Sequence, residues 1–144
     1  MKAIDTNILV YAEMTSSTCH TQARGLLTSL AEGEEPWAIP WPCIYELLRV
    51  ITHPKVFHPP MALEPALDDI ESILASPSLL LLSETERHPA IMSRILKQSR
   101  ATGNIIHDAH IAALCIEHGI AEFLTGDADF TRFSALKVTN PFSP

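Results

Sequence analysis

The chain reads as an α/β domain built on a mainly parallel sheet. Short apolar runs of strand length alternate with amphipathic stretches of helical length, an order that places crossover helices between strands. Acidic residues close the first and a late strand run, Asp5 after Lys2-Ala3-Ile4 and Asp127 just past Phe123-Leu124-Thr125. Open sheets of this class bind ligands at the carboxyl ends of their strands, so both acids fall on one rim. No repeat, low-complexity stretch or interdomain linker interrupts the order, and 144 residues suit one domain spanning residues 1–144.

Periodicity and punctuation set the elements. Lys2-Ala3-Ile4 is a short strand closed by Asp5-Thr6-Asn7, and Ile8, Leu9 and Ala12 fit a short helix after it. From Gln22 to Ala31 the apolar Ala23, Leu26, Leu27 and Leu30 share one face of a second helix. Glu32-Gly33-Glu34-Glu35-Pro36 is a polar connection to a brief strand, Trp37-Ala38-Ile39, ended by Pro40. Pro42 suits the first turn of a helix reaching about Thr52, with Ile44, Leu47, Leu48 and Ile51 inward; His53-Pro54 stops it. Leu63, Ala66 or Leu67, Ile70 and Leu74 mark the next helix, which Pro77 breaks, and Leu79 to Leu82 reads as a buried strand. His88 to Ser99 is helical. After Gly103 another helix begins, with Asn104 as its N-cap and Gly119 as its stop. Phe123 to Thr125 is a strand, Gly126-Asp127-Ala128-Asp129 a turn, and Leu136-Lys137-Val138 the last strand.

Composition narrows the function classes. With 47% apolar and 19% charged residues the chain is an ordinary globular protein. The Leu79–Leu82 run is far too short to span a bilayer, and the start lacks the charged-then-apolar layout of a signal peptide. Cys19, Cys43 and Cys115 are odd in number and have no CxxC spacing, which predicts reduced thiols in a cytoplasmic protein. A net charge of −7 argues against sequence-independent adhesion to nucleic acid. It leaves room for a nucleic-acid enzyme whose acids gather around cations.

Asp108 is the most informative of those acids. On the helical run Ile105–Ile116, winding at about 3.6 residues per turn puts His107, His110, Glu117 and His118 on one polar face. Asp108 points nearly the opposite way, among Ile105, Ile111, Ala112 and Cys115, and no Lys or Arg occurs from Ala101 to Thr131. A buried carboxylate needs a partner, and a divalent cation also accounts for the other acids. Taken alone, Asp5 is a helix cap and Asp127 and Asp129 are turn residues. Glu46 lies about 160° from its helix's apolar stripe, where a solvated ion pair with Arg49 is the simplest reading. Three or four carboxylates meeting at one rim would repel one another, and an oxygen-only cluster of that kind suits Mg²⁺ or Mn²⁺.

The segment Asp5-Thr6-Asn7-Ile8-Leu9-Val10-Tyr11 resembles the opening motif of PIN-domain nucleases. His107-Asp108-Ala109-His110-Ile111-Ala112-Ala113 with Gly119 is similar to their third motif, and Thr125-Gly126-Asp127-Ala128-Asp129-Phe130 to their fourth. The stretch from Trp41-Pro42 through Glu46-Leu47-Leu48-Arg49-Val50 to Thr52-His53-Pro54 is similar to the second motif of one subgroup of VapC-type toxins, the toxins of bacterial type II toxin–antitoxin pairs. The order, spacing and full length all match. The resemblance implies a three-layer PIN-like fold, with a twisted sheet flanked by helices. It implies an acidic pocket of Asp5, Glu46, Asp108 and Asp127, with Asp129 as an accessory and Asp5 and Asp108 as direct metal ligands. Thr6, Asn7 and Thr125 match positions that support the pocket by hydrogen bonding. The resemblance further implies a Mg²⁺- or Mn²⁺-dependent endoribonuclease that cleaves structured RNA such as tRNA and blocks translation. With it come a homodimer and a small antitoxin whose tail covers the pocket.

Three other readings stay open on the residues alone. A PIN-type RNA-processing nuclease without a toxin role would carry the same acids. A phosphatase with an Asp5 nucleophile normally wants an acid two residues later, where this chain has Asn7. A non-catalytic RNA-binding module fits poorly with the acidic charge. His107 and His110, three apart, could present two ligands to zinc, but no Cys or third His falls at a usual sequence distance, and a solvated face is the simpler reading. Arg49, Lys55 and Arg100 are candidates to contact RNA phosphates, but any soluble domain carries exposed basic residues, and no substrate-binding residue is singled out.

Overall fold

The computed structural model describes residues 1–144. Strand β1 (Lys2–Ile4) leads into helix α1 (Thr6–Glu13) and helix α2 (His20–Glu32). Strand β2 (Trp37–Pro40) then feeds α3 (Trp41–Ile51) and α4 (Leu63–Leu74). Strand β3 (Leu79–Leu82) is followed by α5 (His88–Ser99) and α6 (Ile105–Glu117), and β4 (Glu122–Leu124) by a 3₁₀ turn (Ala128–Arg132) and β5 (Val138–Thr139).

All five strands are parallel, in the order β3-β2-β1-β4-β5. The register pairs Ala3 with Ala38 on one side and with Phe123 on the other. The chain therefore builds outward from β1 in one direction through β2 and β3, then returns to its other flank through β4 and β5. That reversal makes the carboxyl ends of β1 and β4 the crevice where sheets of this kind bind ligands. Ile4, Ile39 and Phe123 on the central strands are buried with Ile8, Leu9, Leu47 and Leu114 from the helices, closing the core on both faces of the sheet.

Several expectations need correction. Leu79–Leu82 is a strand but not a buried one: it lies at the sheet edge, with Leu80 48% exposed and only Leu82 fully inside. A continuous apolar run reads as a strand covered on both faces, and nothing local reveals that it is last in the sheet. Asn104 occupies the N-cap position of α6 without capping it, because its own backbone is already helical and its side chain makes no cap hydrogen bond. Gly119 does stop α6. Its φ of +66° is the left-handed conformation, and the following Ile120 N–H donates to the Cys115 carbonyl at 2.9 Å. Glu117 lies on the face assigned to it but is only 3% exposed, because the segment Thr85–His88 closes over that part of α6. The last strand begins at Val138, and Leu136 before it is buried in the preceding turn.

Candidate active site

Each acid reaches the crevice for a local reason. Asp5 follows β1 and caps α1, its Oδ1 accepting from the Thr6 N–H at 2.7 Å. Asp5 therefore caps α1 and lines the cavity at once. Its other oxygen accepts from the Thr125 hydroxyl at 2.7 Å and from the Asn7 amide at 3.1 Å. Thr125, just past β4, also accepts from Asn7 Nδ2 at 2.9 Å and from the Asp127 N–H at 3.0 Å. Asn7 completes the link by accepting from the Gly126 N–H at 3.1 Å. One hydroxyl and one amide thus join the ends of the two central strands and aim Asp5 between them. Thr6 contributes through its backbone N–H alone, since its buried hydroxyl has no hydrogen-bond partner in the chain.

Asp108 sits in the first turn of α6, half-buried rather than enclosed. Its carboxylate lies with those of Asp127 and Asp129 in a cluster, one oxygen of each within 4.8 Å of one oxygen of the other two. Asp127 caps the 3₁₀ turn, accepting from the Asp129 N–H at 2.9 Å, which draws both acids to the same point. Asp5 is outside this close trio and deeper, but it lines the same cavity of about 840 Å³ with Asp108, Asp127, Asp129 and Glu46.

Charge in the cavity is unbalanced. Burial, and then the charges of Asp127, Asp5 and Asp129, push the Asp108 carboxyl up to about 6. Burial first, then Asp127, also raises Asp5, against the lowering effect of its hydrogen bonds from Thr125 and Thr6. Arg49 is the one Lys or Arg side chain on the cavity wall, and it is spent on Glu46: Nη2 to Oε1 is 2.6 Å and Nε to Oε2 is 3.1 Å. That bond, ahead of the opposing effect of burial, holds Glu46 below the ordinary glutamate range. The ion pair read from helical spacing is present, and it stands on the cavity wall. Lys55 and Arg100 are not part of that wall.

The residues present fit a divalent metal ion. The donors are all oxygens, no Lys or Arg neutralises Asp108, Asp127 or Asp129, and the orphaned Thr6 hydroxyl is buried against the same cavity. Sequence patterning did not find Cys43, whose thiol approaches Asp5 Oδ1 at 3.7 Å; on α3 it reads as a core position, and no spacing marks it. Tyr11 and Asn104 do line the wall; the sequence marked them only as the end of the first motif and as an N-cap.

The PIN domain model matches residues 2–136. Ribonuclease VapC43 of Mycobacterium tuberculosis is 35% identical over 141 residues, covering 98% of this chain and 95% of the relative. Among solved structures, VapBC2 from Rickettsia felis, bound to a DNA fragment from its promoter, superposes with a TM-score of 0.70 at 21% identity, covering 96% of this chain and 97% of the other. A toxin–antitoxin complex from Klebsiella pneumoniae superposes with a TM-score of 0.65 at 16% identity and full coverage of both chains, 100% each. At these identities the two structures show a shared fold.

Proposed function

We propose that this chain, which belongs to the PIN-domain family and is similar throughout its length to VapC ribonucleases, is a metal-dependent endoribonuclease acting as the toxin of a toxin–antitoxin pair. The observation that carries the reading is the convergence of Asp108, Asp127 and Asp129, with Asp5 behind them, on a cavity with no free cation of its own.

Asp5, Asp108, Asp127 and Asp129 are the residues that would hold Mg²⁺ or Mn²⁺. Bound there, a divalent ion supplies positive charge for a phosphate and lowers the pKa of a water. The protein's own part is arrangement. Thr125 and Asn7 fix Asp5, the Asp127 cap fixes Asp129, and Glu46, held ionised by Arg49, orients the attacking water at the cavity wall. Water attacks phosphorus in line with the departing 3′-oxygen. The P–O3′ bond breaks as the new P–O bond forms, leaving a 5′-phosphate and a 3′-hydroxyl, the products implied by the family resemblance.

Structured RNA, tRNA foremost, is the substrate class, and cleavage in the cytoplasm blocks translation. Relatives solved as toxin–antitoxin complexes support a small antitoxin partner. An arginine-bearing tail is the chemistry that suits this cavity, since guanidinium binds carboxylates in two places at once. The toxin works as a homodimer.

The test is purified protein on total RNA. Cleavage should need Mg²⁺ or Mn²⁺, stop in EDTA and fall at least about 100-fold in Asp108→Asn, as expected when a group acting in the transition state is lost. New 5′-phosphate ends mapped in cells should disappear with Asp5→Asn. Cleavage that persists in EDTA overturns the mechanism. Growth arrest on expression, relieved by the neighbouring reading frame, supports the toxin role; harmless expression of active enzyme assigns the chain to RNA processing instead.

A further inference from the structure

Beside the acidic cavity, whose wall includes His110, the loop after β3, the start of α5 and the middle of α6 bring Glu84, His88 and His110 together. One ligand atom from each lies within 4.8 Å of the other two. Glu84 Oε1 is 2.6 Å from His110 Nε2, and the two imidazoles meet edge to face with centroids 5.6 Å apart. Beneath them is the buried carboxylate of Glu117, which accepts from His88 Nδ1 at 2.5 Å and from the Thr85 N–H at 2.6 Å. The sequence placed His110 on a solvated face because no further ligand lies nearby in the chain. The missing ligands come from more than twenty residues upstream.

Two imidazoles and one carboxylate are a different donor set from the oxygen-only cluster around Asp108. Nitrogen donors of this kind select zinc and its neighbours over magnesium. Glu117 adds the supporting feature. A carboxylate that takes one ring nitrogen of a histidine fixes its tautomer and leaves the other nitrogen with a free lone pair, the usual arrangement behind histidine ligands to zinc. Burial works against ionised Glu117, but the bonds from His88 and Thr85 outweigh it and keep its carboxyl below the ordinary range. Glu84 is lowered as well, by its own backbone N–H first and then by His110.

The spacing has to adjust, because the three ligand atoms are held only within 4.8 Å of one another. With bonds of about 2.0–2.1 Å, tetrahedral ligand atoms stand roughly 3.3 Å apart. The 2.6 Å Glu84–His110 contact must open slightly, and Glu84 is a mobile donor with its side chain 51% exposed.

We propose that Glu84, His88 and His110 form a zinc site with its fourth position open to solvent, and that Glu117 is the positioning residue of His88. Zinc held there ties the β3–α5 loop to α6, the helix that carries Asp108 two residues before His110. This proposal stands on its own residues and does not depend on the nuclease reading.

The experiment is calorimetric titration of the untagged protein with Zn²⁺, in excess Mg²⁺ and in an Asp108→Asn background that weakens the acidic cluster. One Zn²⁺ should bind per chain and raise the melting temperature. Glu84→Gln and His110→Ala, both at partly exposed side chains, should each weaken binding at least tenfold and reduce the thermal shift. Glu117→Gln, which leaves all three ligands in place, should weaken binding about 10- to 100-fold; unchanged affinity there refutes its positioning role. No zinc uptake in the Asp108→Asn background, or full affinity in both Glu84→Gln and His110→Ala, overturns the site.

Discussion

Asp108 shows how far one residue's character depends on distant ones. Its carboxyl titrates near about 6 in the fold against 3.8 in an open chain, so ionisation opposes folding. The penalty is absent below about pH 3.8, grows as the pH rises toward about 6 and is complete above it. Without metal, Asp108→Asn should therefore melt above the unsubstituted protein at neutral pH, and thermal melts at acid pH should show the advantage disappearing. Thr125 is the other decisive single residue, because its hydroxyl meets Asp5, Asn7 and the Asp127 N–H. Thr125→Val keeps the shape and strands those partners, costing about 1–3 kcal/mol in denaturant titrations, while Thr125→Ser should recover most of it. The acids themselves were legible in the sequence through their motifs. The Thr125–Asn7–Asp5 network was legible only as family positions, since side chains 118 residues apart share no local pattern.

At the scale of elements, periodicity located the helices well and misjudged what covers them. The α6 wheel gave the direction of Glu117 correctly, yet a wheel does not say whether solvent or Thr85–His88 lies in that direction. The same applies to β3, whose leucines look like a central strand and sit at an edge. The end of α5 offers a test of local conformation. Arg100 closes that helix with φ of +53°, a left-handed geometry that costs a non-glycine residue about 1–2 kcal/mol. Arg100→Gly should stabilise the protein by about 0.5–1 kcal/mol in chemical denaturation, with no change in metal binding, because Arg100 is not on the cavity wall. Loss of stability instead would mean that the Arg100 side chain contributes more than its backbone costs.

Across the whole molecule, the parallel order β3-β2-β1-β4-β5 turns four separate stretches of chain into one acidic cavity. Mg²⁺ or Mn²⁺ should then stabilise the fold, by about 2.7 kcal/mol at roughly a hundredfold excess over Kd, a shift of several degrees in Tm. Asp108→Asn and Asp127→Asn should respond much less. Equal shifts in all three proteins would separate metal binding from these acids. The alternation of apolar runs and the turn and stop residues settled the fold class, and the motifs around Asp5, Asp108 and Asp127 named the acids, because those features are written in residues close along the chain. What the tertiary structure alone decided was which carboxylates meet. Asp108, Asp127 and Asp129 form the close trio with Asp5 behind, Glu46 is engaged by Arg49, and Glu84, His88 and His110 converge on another face of α6. Such meetings depend on where the sheet reverses and which loops close over which helix. Both are set by burial of the whole core, and no short window of sequence contains it.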